Sequence, residues 1–225
     1  MTYKTCVTLT ESNPTRLSSL LKKTLRKSDF AEIRFDFMEP NKIPLALNLV
    51  KKDLDRCVCT LRPKSEGGKF SSNEKNRISI IKLIAEYDPY LLDVEYNTIR
   101  KNADLYQYLM RIKTNLLVSW HDFTKTRSTS LLKRISKKMI KFSNNIKIVT
   151  TARSISDAAI VLSLYRTKPK NMNLIAFAMG DYGRMSRILC TEFGSPFTYV
   201  SLGKPVAPGQ FSLDEIRTIF KLRKI

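Results

Sequence analysis

Short runs rich in β-branched and aromatic residues alternate along this chain with longer stretches whose apolar residues recur every three or four positions. The short runs cover residues 3–10, 32–37, 57–61, 90–96, 115–123, 146–152, 173–180 and 197–202, and each reads as a strand. The longer stretches cover 13–27, 42–52, 73–87, 98–113, 128–142, 154–167, 182–193 and 212–223, and each reads as a helix. Three helices carry start signals. Asn13-Pro14 pairs an N-cap residue with proline at the first helical position, while Ser154-Ile-Ser-Asp157 and Ser212-Leu-Asp-Glu215 are capping boxes or near relatives of one. Strand and helix therefore alternate eight times, which predicts a (β/α)8 TIM barrel. A doubly wound open sheet is the runner-up, but no Gly-x-Gly-x-x-Gly follows the first strand. No linker or composition break divides the chain, so one domain spanning 1–225 is expected.

Composition narrows the setting. The longest apolar runs are about half the ~20 residues a membrane-spanning helix needs. The N-terminal segment from Met1 has no long apolar core and no small-residue cleavage site, so a cytoplasmic protein is expected. Four cysteines fit that setting as buried free thiols. With one histidine and no zinc-type Cys spacing, no metal site is expected. Forty Lys and Arg against 20 Asp and Glu give a net charge of +20. Such a balance can signal a nucleic-acid partner. Here the basic residues alternate with apolar ones at helical spacing, as in Leu131-Leu-Lys-Arg-Ile-Ser-Lys-Lys, which is the pattern of a solvated helix face. Nucleic-acid binding is therefore not expected to be the main role.

In a barrel of this kind, chemistry gathers at the C-terminal ends of the strands, and polar residues at those ends stand out. Glu32-Ile-Arg-Phe-Asp-Phe37 alternates strictly, placing Glu32, Arg34 and Asp36 on one face. An exposed edge strand gives the same pattern, but helices cover a barrel strand outside, so the charges should point inward and pair. Asp93 and Glu95 repeat the arrangement on the fourth strand, where structural ion pairing explains them nearly as well as catalysis. Arg62 ends the third strand and leads into Pro-Lys-Ser-Glu-Gly-Gly68, a tight rim loop that carries Glu66. Lys147 interrupts an apolar strand, and a lysine facing a barrel interior loses water, which favours the free amine that attacks ketones. A strand-start lysine stretching to the bottom rim would leave the same trace. Arg187 lies just past the seventh strand, placed to grip a carboxylate, and Ala207-Pro-Gly-Gln210 forms a turn-rich loop after the eighth. His121, the only histidine, ends the fifth strand in Ser-Trp-His-Asp.

Taken in order, Glu32-x-Arg34-x-Asp36, Thr60-Leu-Arg62-x-x-x-Glu66-Gly-Gly68, Asp93-x-Glu95, Ser119-x-His121-Asp-Phe123, Lys147, Met179-Gly180 with Ser186-Arg187, Phe193-Gly194-Ser195 and Ala207-Pro-Gly-Gln210 closely resemble type I 3-dehydroquinate dehydratase of the shikimate pathway. The resemblance implies a barrel, often a homodimer, that uses no metal or organic cofactor. It implies conversion of 3-dehydroquinate to 3-dehydroshikimate through a covalent imine. Lys147 would form that imine, His121 would act as general acid and base, and Glu66 would orient the histidine. Glu32, Arg34 and Arg62 would hold the ring hydroxyls and the site network, Arg187 the substrate carboxylate, and Gln210 the closing loop. Two departures stand out. Val206 replaces a serine common four residues before the loop glutamine, and Thr151-Ala152 replaces a common Met-Pro. A class I aldolase-type barrel also uses a strand lysine, but it has no need of the set formed by His121, Glu66, Arg187 and Gln210. A basic polyanion-binding barrel would leave Lys147 and the carboxylates merely structural.

Overall fold

The computed structural model describes residues 3–222. Residues 1–2 of the segment read for targeting signals, and residue 223 of the last predicted helix, lie outside them. Eight strands are present among the described residues: β1 (Thr5–Leu9), β2 (Phe30–Arg34), β3 (Cys57–Thr60), β4 (Leu91–Glu95), β5 (Leu116–His121), β6 (Asn145–Thr151), β7 (Asn173–Met179) and β8 (Thr198–Val200). They follow one another in the sheet order β7-β6-β5-β4-β3-β2-β1-β8, with helices between them, and the fold is the (β/α)8 barrel. The helices are α1 (Pro14–Leu25), α2 (Ile43–Val50), α3 (Glu74–Ala85), α4 (Tyr96–Lys101), α5 (Ala103–Arg111), α6 (Thr129–Met139), α7 (Ile155–Leu162), α8 (Ser186–Glu192) and α9 (Leu213–Leu222). None of them is long and apolar enough to cross a membrane.

The chain divides into two compact units, Thr8–Val118 and the remainder on either side of it. In Thr8–Val118, β3 pairs in parallel with β2 and β4, with Arg34 opposite Thr60 and Thr60 opposite Asp93. Leu17, Leu21, Leu47 and Ile81 from the helices are fully buried with Ile33, Val58 and Leu92 from the strands. Each such aliphatic side chain contributes about 1.5–3 kcal/mol by leaving water. In the other unit, β6 and β7 pair over seven residues from Asn145 opposite Asn173 to Thr151 opposite Met179, and β1 pairs with β8 from Thr5 opposite Thr198. The continuous apolar run of β7 from Leu174 to Met179 follows from burial on both faces of a parallel sheet.

The predicted caps form. Asn13 accepts from Arg16 N at 3.0 Å, with Pro14 opening the helix. Ser212 and Glu215 cap each other reciprocally, Glu215 Oε2 accepting from Ser212 N at 2.8 Å and Ser212 Oγ from Glu215 N at 3.2 Å. Most element ends shift by a few residues from the predicted ranges, and three of the shifts have a clear local reason. The second predicted strand ends at Arg34, and Phe35–Phe37 turns as a single 3-10 coil. There Asp36 folds back onto Arg34 and accepts from Lys69 N, so period-two alternation continues past the ladder it implied. The predicted helix 98–113 breaks at Asn102, whose side chain donates to Thr98 O at 2.8 Å in place of a continuing backbone turn. The predicted helix 182–193 starts only at Ser186, after a turn in which Gly183 lies so close to Ala178 O that a Cβ would sit 2.5 Å from it. All four cysteines are buried and free, as expected, and burial pushes the Cys190 thiol up to about 12.

Candidate active site

Within Thr8–Val118, the polar residues at the strand ends are tied together by charge. Glu32 on β2 is buried, and its two oxygens accept from the Thr8 hydroxyl at 3.1 Å and the Thr60 hydroxyl at 3.0 Å. Arg34 ends β2 and grips Asp36 with both arms, at 2.7 and 2.8 Å. Asp36 also accepts from Lys69 N at 2.9 Å, which fastens the loop after β3. That loop needs its two glycines. Gly67 has φ +75°, and a Cβ on Gly68 would lie 2.0 Å from Arg62 O. Arg62 is buried and bonded to two carboxylates, Asp93 at 2.7 Å and Glu95 at 2.8 Å. Asp93 and Glu95 are thus partners of a buried arginine, and the pairing offsets the desolvation of all three groups.

Glu66 sits in the 3-10 turn Lys64–Glu66 and accepts from Asn97 Nδ2 at 3.2 Å. Burial, reinforced by the negative charge of Glu95, pushes its carboxyl up to about 7, against the pull of Arg62 and Asn97. A carboxyl whose folded pKa exceeds its unfolded one stabilises the fold below the unfolded value of about 4.5, and that stabilisation disappears as the pH rises through 7. Glu66→Gln is therefore expected to melt close to the parent at pH 5 and several degrees higher at pH 8. Each kcal/mol recovered moves the midpoint of a chain this size by about 2–4 °C. Thermal melts at the two pH values check it, and an equal shift at both would contradict the ionisation account.

In the other unit, His121 is the last residue of β5 and half-buried, its ring lying near-parallel to Phe123 at 5.8 Å. The chain beyond it is pinned by Asp122. That carboxylate accepts from Thr124 N, Thr124 Oγ1, Lys125 N and Arg127 Nε at 2.6–3.1 Å. Desolvation opposes its charge, but the Thr124 and Arg127 bonds win and hold its pKa down at about 2. Asp122 N donates to Val149 O at 2.9 Å, and Thr151 Oγ1 donates to Asp122 O at 3.1 Å, which ties the end of β5 to β6. Lys147 is the third residue of β6, 5% exposed, and its ammonium lies 4.2 Å from the centre of the Tyr199 ring. This burial disfavours the reading of a lysine stretched out to water.

Arg187, on the first turn of α8, is 2% exposed. Its guanidinium stacks 4.4 Å from the Phe177 ring centre and donates to Pro208 O at 3.1 Å, while its Nε is buried without a hydrogen-bond partner. No carboxylate among the described residues pairs with it, and burial pushes its pKa down to about 10. Its charge is thus left without a carboxylate to offset the loss of water. Pro208 belongs to the loop that ends at Gln210. Gln210 Oε1 accepts from Val206 N at 2.8 Å and Ala207 N at 3.3 Å, closing the loop on itself. Gly209, at φ +70°, fits against Gly180 O, where a Cβ would sit 2.5 Å away. Gln210 thus shapes the loop, and the backbone of Val206 serves it whatever side chain that position carries.

Sequence reasoning passed over Arg77, Asn97 and Tyr199. For Arg77 a signal existed: with Ile81, Ile84 and Ala85 it occupies the buried stripe of α3, and a charge on such a stripe needs a partner inside. Among the described residues no group of three or more His, Cys, Asp or Glu is arranged to hold a metal ion.

A sequence profile described as type I 3-dehydroquinase matches residues 5–225. A 3-dehydroquinate dehydratase from Dehalococcoides mccartyi is 38% identical over 205 residues, covering 88% of this chain and 89% of that protein. One from Methanocaldococcus jannaschii is 29% identical over 225 residues, covering 96% of this chain and 97% of that one. Among solved structures, the 3-dehydroquinate dehydratase from Geobacillus kaustophilus superimposes with a TM-score of 0.88 at 22% identity, covering 100% of this chain and 92% of the other. The Aquifex aeolicus enzyme gives a TM-score of 0.79 at 28% identity, covering 97% and 98%.

Proposed function

The chain belongs to the type I 3-dehydroquinase family, and from that premise we propose that it dehydrates 3-dehydroquinate to 3-dehydroshikimate through an imine on Lys147, with His121 moving the protons. The observation that carries the imine is Lys147 itself, a lysine buried in the middle of an apolar strand of a chain in this family.

The chemistry needs such a residue. A ring ketone makes its neighbouring C–H too weakly acidic for a side chain to deprotonate quickly. Attack by the Lys147 amine on the carbonyl carbon gives a carbinolamine, which takes up a proton on its hydroxyl and loses water to leave a protonated imine. Electrons from the adjacent C–H bond then flow into the imine as His121 takes the proton, leaving an enamine. The enamine expels the β-hydroxyl, which His121 protonates as it leaves. Hydrolysis of the conjugated imine frees the amine and the product. A histidine suits both halves of the cycle because its ordinary pKa lies near neutrality. The scheme draws every group it needs from side chains and uses no metal or organic cofactor.

The remaining roles follow from charge. Arg187, buried with no carboxylate partner among the described residues, takes the substrate carboxylate. Arg62, Glu32 and Arg34 hold the ring hydroxyls, with Glu32 and Arg34 already fixed by Thr8, Thr60 and Asp36. Glu66, poised to change charge near pH 7, orients His121 and tunes it, while the Gln210 loop closes on the ligand. The homodimer belongs to the same reading and is measured as mass in solution.

Borohydride reduction with 3-dehydroquinate present, followed by peptide mass mapping, tests the proposal. A stable adduct on the peptide containing Lys147 is expected. The same treatment of His121→Ala is expected to retain an adduct while turnover drops by about 10²–10⁴-fold. A folded sample that yields no adduct overturns the imine, and undiminished turnover in His121→Ala removes the histidine from the chemistry.

A further inference from the structure

Behind Arg62 lies a second buried arginine to which neither the family resemblance nor the proposed chemistry gives a role. Arg77 leaves α3 on its buried stripe, is 1% exposed, and uses all five of its N–H groups. Nε and Nη2 clamp the two oxygens of Glu74 at 2.9 Å each, and Nη2 also reaches the Thr98 hydroxyl. Nη1 donates to Leu61 O at 3.0 Å and to Glu95 Oε2 at 2.7 Å. The other oxygen of Glu95 belongs to Arg62, whose second arm takes Asp93. The result is an alternating chain of charge, Glu74–Arg77–Glu95–Arg62–Asp93, running from a half-exposed carboxylate on α3 to Arg62, two residues past the end of β3, and its partners on β4.

We propose that Arg77 is a positioning residue for the dehydration: by fixing Glu95 between two guanidinium groups it sets where the fork of Arg62 points. The proposal rests on the reading of Arg62 as a substrate-facing group. Two features argue against Arg77 as simple ballast. Glu95 is fully buried and bonded through both oxygens, so its carboxylate plane cannot turn without breaking a charged bond at one end. Leu61 O, next to Arg62 in the chain, is held by the same Nη1, so Arg77 fixes both the backbone before Arg62 and the carboxylate beyond it. Glu95, Asp93 and Arg62 are also the charged groups that act on Glu66, together with a hydrogen bond from Asn97. Taking away the positive charge of Arg77 leaves that cluster one unit more negative, which favours a protonated Glu66.

Arg77→Lys keeps the charge and loses the fork, whereas Arg77→Met loses both. Arg77→Lys is expected to lower kcat/KM by about 10- to 100-fold through misplacement of Arg62, mostly as a higher KM, with the acid limb of the pH profile where the parent has it. Arg77→Met should show the same loss with that limb moved to higher pH. If Arg77→Met does not fold, Glu74→Ala, which frees the outer clamp at a half-exposed position, should raise KM several-fold in a folded enzyme. Variants that melt lower yet keep the parent KM and pH profile per folded molecule would make Arg77 purely structural and overturn the proposal. Borohydride trapping separates this from the underlying reading. If the parent forms the Lys147 adduct and the Arg77 and Glu74 variants behave as the parent does, only the positioning role falls. If the parent forms no adduct, the imine scheme falls first.

Discussion

Lys147→Met is expected to lose on the order of 10⁴-fold or more in turnover while remaining folded. Methionine has a similar reach, so it can occupy the buried space beside the Tyr199 ring. Without the amine no imine forms, the electron sink disappears, and the ring C–H reverts to ordinary ketone acidity. Single-turnover assays on a preparation that calorimetry shows to be folded check it. Residual turnover above about a hundredth of the parent would remove Lys147 from the covalent step.

Arg187→Met is the second large effect, and it separates binding from chemistry. The depression of the Arg187 pKa from 12.5 to about 10 corresponds to on the order of 3 kcal/mol of desolvation. Against this stand the single hydrogen bond to Pro208 O, about 1 kcal/mol, and the cost of leaving that carbonyl unmet. The terms nearly cancel, so the melting temperature should hardly move. Substrate affinity should not be spared. Loss of a desolvated cation opposite a carboxylate costs about 2–5 kcal/mol, so kcat/KM should fall by roughly 30-fold or more, chiefly through KM. Arg187→Lys should recover little of it, because a point charge cannot reproduce the two-pronged grip or the stack on Phe177. An unchanged KM in Arg187→Met would show that the carboxylate is held elsewhere.

The periodicities that named the elements also named most of the candidate residues, for a physical reason. A barrel strand flanked by helices must be apolar, so any charge within it is conspicuous. Lys147 and the alternating Glu32-x-Arg34 stand out on that ground alone, and Arg62 by its place where the third strand gives way to a rim loop. What periodicity reports is the face a residue occupies, and it is silent on the partner. Asp36 lies in phase with Glu32 and Arg34, so the pattern assigns it to the strand. In the fold, the attraction between Arg34 and Asp36 is satisfied by a 3-10 turn that ends the strand instead. Gln210 was legible as part of a turn-rich loop, but its use as that loop's internal clasp depends on the conformation of residues 206–210.

The sequence by itself determined the succession of strands and helices, the family to which the chain belongs, and the set of polar residues at the strand ends, because burial forces an apolar pattern on everything else. Only the tertiary structure decided how those charges pair. Arg62 meets Asp93 at a separation of 31 residues and Arg77 meets Glu95 at 18, and no local rule selects either match. The same is true of the cation left over. Arg187 stacks on Phe177 and donates to Pro208 O, while among the described residues no carboxylate pairs with it, and no reading of neighbouring letters can establish that.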